Sequence, residues 1–149
     1  MPFQDVIQKH FVAADQTSFN TTMTAVEAIF TAKTQNLSED ENNKYGTIDE
    51  TNKLMVNKVS DYSVNQPALR SPDVDWTEFA ADGFDRKFLE ASILRLQALT
   101  QTLIETRRLH DYDNFQNALV DYKYTQYKAD TQAGTGFDTK AAELKQFFK

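Results

Sequence analysis

The chain has no cysteine among its 149 residues, which excludes a disulfide framework, a catalytic thiol and a thiolate metal site. Glycine and proline are also scarce, with 4 and 3 copies. Because all-β folds need frequent turns, this scarcity favours helices. No apolar run approaches the roughly 20 residues of a membrane span, and Asp5, Lys9 and His10 interrupt the stretch where a signal peptide would be apolar. We therefore expect neither a membrane segment nor a signal peptide.

The composition is that of one globular domain. Charged residues make up 26% and hydrophobic residues 40%, so the chain is not expected to be disordered. The formal net charge is -6, which opposes general electrostatic attraction to nucleic acids or anionic membranes. The length suits a single hydrophobic core, and we expect residues 1–149 to form a single helical-bundle domain.

The strongest pattern is a pair of long helices. Residues 85–109 predict one helix, in which Leu89, Leu96, Leu103 and His110 repeat every seven residues. A polar break at residues 110–112 is expected, with Asp113 capping a second helix to about Gln132. That second helix carries two apolar stripes, which are Phe115, Ala118, Leu119, Tyr122 and Ala129 on one side and Val120, Tyr124 and Tyr127 on the other. The latter, here called the tyrosine stripe, predicts either a second buried side or an assembly interface between copies, where tyrosine is enriched.

The remaining segments also show helical spacing. We expect a short N-terminal helix over residues 3–14, a break at 15–18, and a helix from Phe19 to about Asn36. Residues 38–46 predict a loop, and Thr47 with Glu50 matches a capping box that opens the next helix. Residues 63–83 predict an irregular segment, and residues 134–136 predict a stop before a last helix over 137–148. The predicted fold is all-α, a four-helix bundle with short flanking helices.

No residue set forms a catalytic or metal-binding signature. The only histidines, His10 and His110, lack the Glu-x-x-His pattern of di-iron bundles. The acidic run at Asp73 lacks the glycine and the final acidic residue of a calcium loop. We therefore expect no enzymatic activity, no metal and no cofactor. One alternative remains, a small-ligand or metal site near His110 in a pocket lined by Leu103, Leu109, His110 and Tyr112.

Arg107 and Arg108 form the only paired arginine, and two interpretations are open. At the C-terminal end of the first long helix, they would interact favourably with the helix dipole. Alternatively, their planar guanidinium groups would bind phosphate oxygens. Repeated along a polymer, such a pair could bind a nucleic acid strand.

Three segments, in order along the chain, resemble tobamovirus-type coat proteins. The run Arg70-Ser71-Pro72-Asp73-Val74-Asp75-Trp76 is similar to that family's Arg-x-Pro-Asp-x-Asp-aromatic segment. Residues 106–111, Thr-Arg-Arg-Leu-His-Asp, resemble its Thr-Arg-Arg-apolar-x-Asp, and residues 134–137, Gly-Thr-Gly-Phe, its Gly-Thr-Gly-aromatic. The resemblance implies a coat subunit stacked into a helical rod around single-stranded RNA. It also implies that Arg107 and Arg108 contact RNA phosphates, and that Asp111 and Asp113 are candidates for a carboxylate cluster whose repulsion makes assembly pH-dependent.

The leading functional hypothesis is therefore a non-enzymatic structural subunit that self-assembles into an oligomer or helical polymer and packs single-stranded RNA, located in a virion or the cytoplasm. The alternative is a helical-bundle module that binds a partner protein through the tyrosine stripe. Self-assembly predicts that the stripe is buried only between copies, whereas a partner module predicts a monomer that exposes it.

Overall fold

The computed structural model describes residues 4–148, and within that range it contains five α-helices, one 3-10 helix and no strand. The helices are α1 (Ala13–Thr31), α2 (Glu39–Tyr45), α3 (Glu50–Asn65), α4 (Trp76–Asp130) and α5 (Phe137–Lys145), with the 3-10 helix at Pro67–Leu69. The all-α prediction is confirmed, with 75% of the described residues helical. No helix in the described range has the length and apolarity needed to cross a membrane.

Helix α4 is one uninterrupted element of 55 residues, so the predicted break at residues 110–112 is wrong. The reason is that residues 84–130 contain neither glycine nor proline. Polar residues such as His110 and Asp111 cost only a few tenths of a kcal/mol each in a helix interior, too little to end it. Asp113 consequently lies in the middle of a helix and does not cap one.

Other helix boundaries also differ from the predictions. Residues 4–10 are not helical, whereas residues 15–18, predicted as a break, lie inside α1. The polar stretch 38–46 is mostly helical, because Ser38 and Glu41 form a reciprocal capping box at the start of α2. The cap of α3 is Asp49, which accepts the Asn52 N–H at 2.7 Å, and the predicted Thr47 cap is wrong. The stop after α4 is confirmed, and α5 begins at Phe137, directly after Gly136 with a positive φ of 90°.

The capping box of α2 predicts a pH dependence. Hydrogen bonds from the backbone N–H and the side chain of Ser38 lower the pKa of Glu41 below its ordinary value. A lowered pKa means that the capping box is fully formed above the ordinary glutamate pKa and is lost as pH falls through the lowered value. We expect a carboxyl-carbon NMR titration to find a lower pKa for Glu41 in the native chain than in urea. Ser38→Ala should remove part of the difference, since the backbone N–H remains. Equal values in water and urea would contradict the capping box.

The chain divides into two compact units. The central unit is Phe11–Leu94, and the terminal unit takes in the described residues of Met1–His10 and Arg95–Lys149. Helix α4 contributes residues to both. In the central unit, the rings of Phe30 and Phe88 stack at 6.0 Å.

The segment 70–76, which carries part of the family resemblance, forms a hydrogen-bonded turn in the central unit. Arg70 Nε donates to the Ser63 carbonyl at 2.7 Å, which satisfies a free carbonyl at the end of α3. Trp76 Nε1 donates to the Ser71 carbonyl at 2.9 Å. Asp75 accepts the N–H groups of Thr77 and Glu78, both at 3.0 Å, and so caps α4. The motif residues therefore have a local structural role, which is to join α3 to α4.

In the terminal unit, α5 and the residues that follow it pack against the last part of α4. The rings of Tyr122 and Phe148 stack at 4.5 Å, and Lys140 pairs with Asp121 at 2.6 Å. Thr125 is fully buried at this contact region of α4 and donates to the Asp121 carbonyl at 2.9 Å. No sequence pattern predicts this pairing, because ring stacking and a single ion pair have no fixed spacing along the chain.

Neither unit buries a hydrophobic side chain among the described residues. The only buried residues there are polar, namely Ser63, Asp113 and Thr125. A four-helix bundle holds its helices together by burying apolar positions. The four-helix arrangement and the single domain over residues 1–149 therefore stay predictions.

Candidate subunit interface

The first part of the terminal unit's α4 exposes an apolar seam, defined as Leu96, Leu99 and Leu103. The three side chains are 43%, 50% and 45% exposed, although the spacing i, i+3, i+7 places them on one helix face. A typical core-facing stripe would be almost fully buried. The seam is therefore a helix face of packing type that the described residues of the terminal unit leave about half exposed.

The tyrosine stripe Val120, Tyr124 and Tyr127 lies further along the same helix and is also exposed. Tyr127 is 62% exposed, and the other two are about half exposed. Tyr124 makes a partial intrachain contact, because its ring lies 6.0 Å from that of Phe137 in an edge-to-face arrangement. In the other predicted stripe, Leu119, Tyr122 and Ala129 are partly covered, whereas Phe115 and Ala118 are exposed. Of the two stripes, only the tyrosine stripe is thus exposed at every one of its positions.

The seam and the stripe share one heptad register. Leu103 and Tyr124 are 21 residues apart, and so are Leu99 and Val120, which equals three heptads. A straight α-helix drifts by about 20° per heptad, so the two sets differ by about 60° in direction. A left-handed supercoil between partner helices removes this drift. One partner helix could therefore cover both apolar sets.

Polar residues occupy the same register between the two sets, and the N-terminal segment of the chain docks there. Asp113 is only 6% exposed and accepts the N–H of Val6 at both carboxylate oxygens, each at 3.0 Å, and that of Ile7 at 3.1 Å. The His10 and His110 rings lie 5.7 Å apart. Residues 4–10 are here called the strap. The sequence predicted Asp113 as a helix cap, whereas the backbone N–H groups that it binds belong to residues more than 100 positions away, where no local pattern could locate them.

The predicted phosphate-binding pair lies in the middle of α4. Arg107 and Arg108 are both exposed, and α4 continues to Asp130. The interpretation that they interact with a helix C-terminus is therefore wrong, since the dipole effect is confined to the last turn. Arg107 Nε lies 4.0 Å from Asp111, an exposed pair that leaves both groups largely solvated.

The structure gives Asp111 and Asp113 different surroundings. Asp111 is exposed beside Arg107, whereas Asp113 is buried under the strap. Residues two apart on a helix do not face each other, so a cluster of these carboxylates would need contributions from other copies. The carboxylate cluster stays a prediction.

A ligand site near His110 finds no further support. Two open grooves, of about 430 and 350 Å³, lie in the central unit, and Leu103, Leu109, His110 and Tyr112 line neither of them. Among residues 4–148 no group of three or more His, Asp or Glu side chains is placed to hold a metal ion.

No protein-family model, curated protein or solved structure matches this chain. The resemblance to tobamovirus-type coat proteins therefore stays a prediction carried by three short motifs. The main indication of function is the set of apolar side chains that the described residues leave exposed.

Proposed function

We propose that this chain is a non-enzymatic structural subunit that self-assembles, and that its apolar faces become buried between copies. One observation carries the proposal, which is the absence of any buried hydrophobic side chain in residues 4–148. Hydrophobic burial is the dominant favourable term in folding. A helical chain with 40% hydrophobic residues therefore needs further copies, or another protein, to cover them.

The accessible surface supports the same conclusion. The chain exposes 13137 Å², whereas a compact monomer of 17.1 kDa exposes about 7,800 Å². The excess of about 5,000 Å² per chain is larger than the share of about 1,000–2,500 Å² that one partner contributes to an obligate interface of about 2,000–5,000 Å² in total. A subunit with several neighbours would use such an excess.

Under this proposal, the helical bundle predicted from the sequence would form between helices of different copies. Apolar helix faces that find no partner in one chain pack in the same way when the partner helix belongs to another copy. The seam and the tyrosine stripe would be the core positions of that bundle. Contacts between different faces of successive copies propagate into an open helical polymer unless they close into a ring.

We further propose that the polymer is a coat that packs single-stranded RNA. The resemblance at residues 106–111 supports this, as does the exposure of Arg107 and Arg108 on the outside of a helix. With a net charge of -6, binding would depend on local arginines repeated along the polymer. Such a coat would place the chain in a virion, or in the cytoplasm before assembly.

The test is negative-stain electron microscopy of the purified chain at neutral and mildly acidic pH, with sedimentation and the ratio of absorbance at 260 and 280 nm. We expect rods or stacked discs with excess absorbance at 260 nm. A monomer free of nucleic acid at both pH values would overturn the proposal and favour a module that binds another protein. Rods without nucleic acid would retain self-assembly and remove the RNA-packing part.

The double variant Arg107→Ala/Arg108→Ala tests the RNA-packing part. We expect assembly to persist while the absorbance at 260 nm falls. In titrations with single-stranded RNA, log affinity decreases with log salt concentration. The magnitude of this negative slope should be smaller by about 1.4 per subunit, since each lost phosphate contact contributes about 0.7.

The matched control is Arg95→Ala, which removes an exposed arginine from the same helix. It should leave both the absorbance ratio and the salt slope unchanged. Equal effects of the control and the double variant would mean that overall charge, and not this pair, governs binding.

A further inference from the structure

We propose that the strap is exchanged between copies, so that residues 4–10 of one chain dock on Asp113 of the next chain. This inference rests on the proposed self-assembly and specifies which segment links the subunits. The docking site is the polar stretch of α4 at His110, Asp113 and Asn117, and its occupant is the strap of a second copy.

The docking chemistry is complete without any other part of the donor chain. The Asp113 carboxylate binds two successive backbone N–H groups, those of Val6 and Ile7. Asn117 Nδ2 adds a weak bond to Asp5 at 3.4 Å. Because the two strongest donors are backbone groups, the strap of any copy supplies the same bonds as the chain's own strap. Exchange of an identical element costs few contacts, which is why it is a common route to oligomers.

The surroundings of the strap favour a donor from a second copy. The two residues that join the strap to α1, Phe11 and Val12, are 65% and 61% exposed, so the strap is held by its bonds to Asp113 and Asn117 and not by burial of this connection. Val6 is also largely exposed even when docked. The dock lies between the seam and the tyrosine stripe, the two surfaces that we propose are covered by another copy. A neighbour's strap would fill the polar gap in that same interface.

The absence of cysteine makes a cross-linking test direct. Asp5 and Asn117 mark the strap and its dock, so the double variant Asp5→Cys/Asn117→Cys is oxidised in the assembled state and run on a non-reducing denaturing gel. Exchange predicts covalent dimers or a ladder at multiples of the 17.1 kDa chain mass. Docking within each chain predicts an internal disulfide at the monomer position, and this result overturns the proposal. No cross-link at all also overturns it. The control Asp5→Cys/Gln101→Cys, with the second cysteine away from the dock, measures chance collisions.

A mixing experiment gives an independent result. Asp113→Ala keeps the strap and removes the dock, whereas Val6→Pro/Ile7→Pro removes both N–H donors and keeps the dock. Exchange predicts that each variant alone sediments as smaller species than the wild type, and that the mixture forms a heterocomplex. If the mixture sediments as the sum of its parts, or if either variant assembles like the wild type, exchange is excluded.

Wild-type sedimentation separates this proposal from the one on which it rests. An assembled wild type whose double-cysteine variant gives only the monomer band retains self-assembly and rejects exchange. A monomeric wild type overturns both proposals. Circular dichroism of each variant checks that its helix content is kept. If the alanine or proline variants do not fold, the cross-linking test with the cysteine pair still decides the question, because it uses neither substitution.

Discussion

Leu99→Asp is expected to weaken self-association by at least about 100-fold at each contact that uses the apolar seam. Burying the exposed half of a leucine side chain contributes about 1 kcal/mol, and a carboxylate forced into the same place adds a desolvation penalty of several kcal/mol. A loss of about 3 kcal/mol corresponds to roughly a 100-fold weaker association. Since Leu99 is the middle residue of the seam and 50% exposed, the substitution does little harm within one chain. Sedimentation velocity over a range of protein concentrations measures the effect.

The matched control is Gln97→Asp, which introduces the same charge at an exposed polar position of the same helix. It should leave the sedimentation profile unchanged, because residue 97 lies about 100° or more around the helix from Leu96 and Leu99. Wild-type assembly by the Leu99→Asp variant would exclude the seam as an interface. If both variants lose assembly to the same extent, the added charge is responsible and not the seam.

The stability of the wild type is expected to depend strongly on its own concentration. If the apolar faces are buried between copies, association stabilises the folded chain by mass action. A 100-fold dilution through the association range would remove about 2.7 kcal/mol, which for a chain of this length lowers the melting temperature by about 10 °C. Melting followed by circular dichroism at a series of concentrations measures this shift.

Hydrogen exchange locates the same effect along the chain. In dilute samples we expect amides of residues 95–109 to exchange much faster than those of residues 121–130, because Phe137, Lys140 and Phe148 contact the latter segment. The latter residues serve as the internal control. A melting temperature independent of concentration would contradict the proposal that other copies supply the missing burial, and would favour a module that meets a different partner.

The helical class and the stop at residues 134–136 could be predicted because they depend on local chemistry. Scarce glycine and proline favour helices, and Gly136 has a conformation that other residues rarely adopt. The false break at residues 110–112 has the opposite cause. Asp113 was interpreted as a helix cap because Asp commonly binds free N–H groups, and the sequence cannot distinguish N–H groups of its own helix from those of Val6 and Ile7.

The candidate interface could be predicted only in part. The heptad spacing of Leu96 and Leu103 and the stripe at Tyr124 follow from helical periodicity, but periodicity does not say whether an apolar face is covered by the same chain. Three-dimensional contacts decide this, and they leave Tyr127 62% exposed. The dipole interpretation of Arg107 failed because it depended on a helix end that polar residues alone do not create.

The unbroken length of α4 has a consequence for the timing of assembly. Most of the stability of a helix in a protein comes from packing of its apolar face, and residues 95–109 of α4 leave Leu96, Leu99 and Leu103 about half exposed, so this stretch is only marginally stable before assembly. A chain that joins an existing polymer packs against a surface that is already helical. The first few chains have no such surface, so each must form its helix together with its partner. Growth should therefore begin after a lag that added seeds abolish, and newly made subunits would persist unassembled until a nucleus forms.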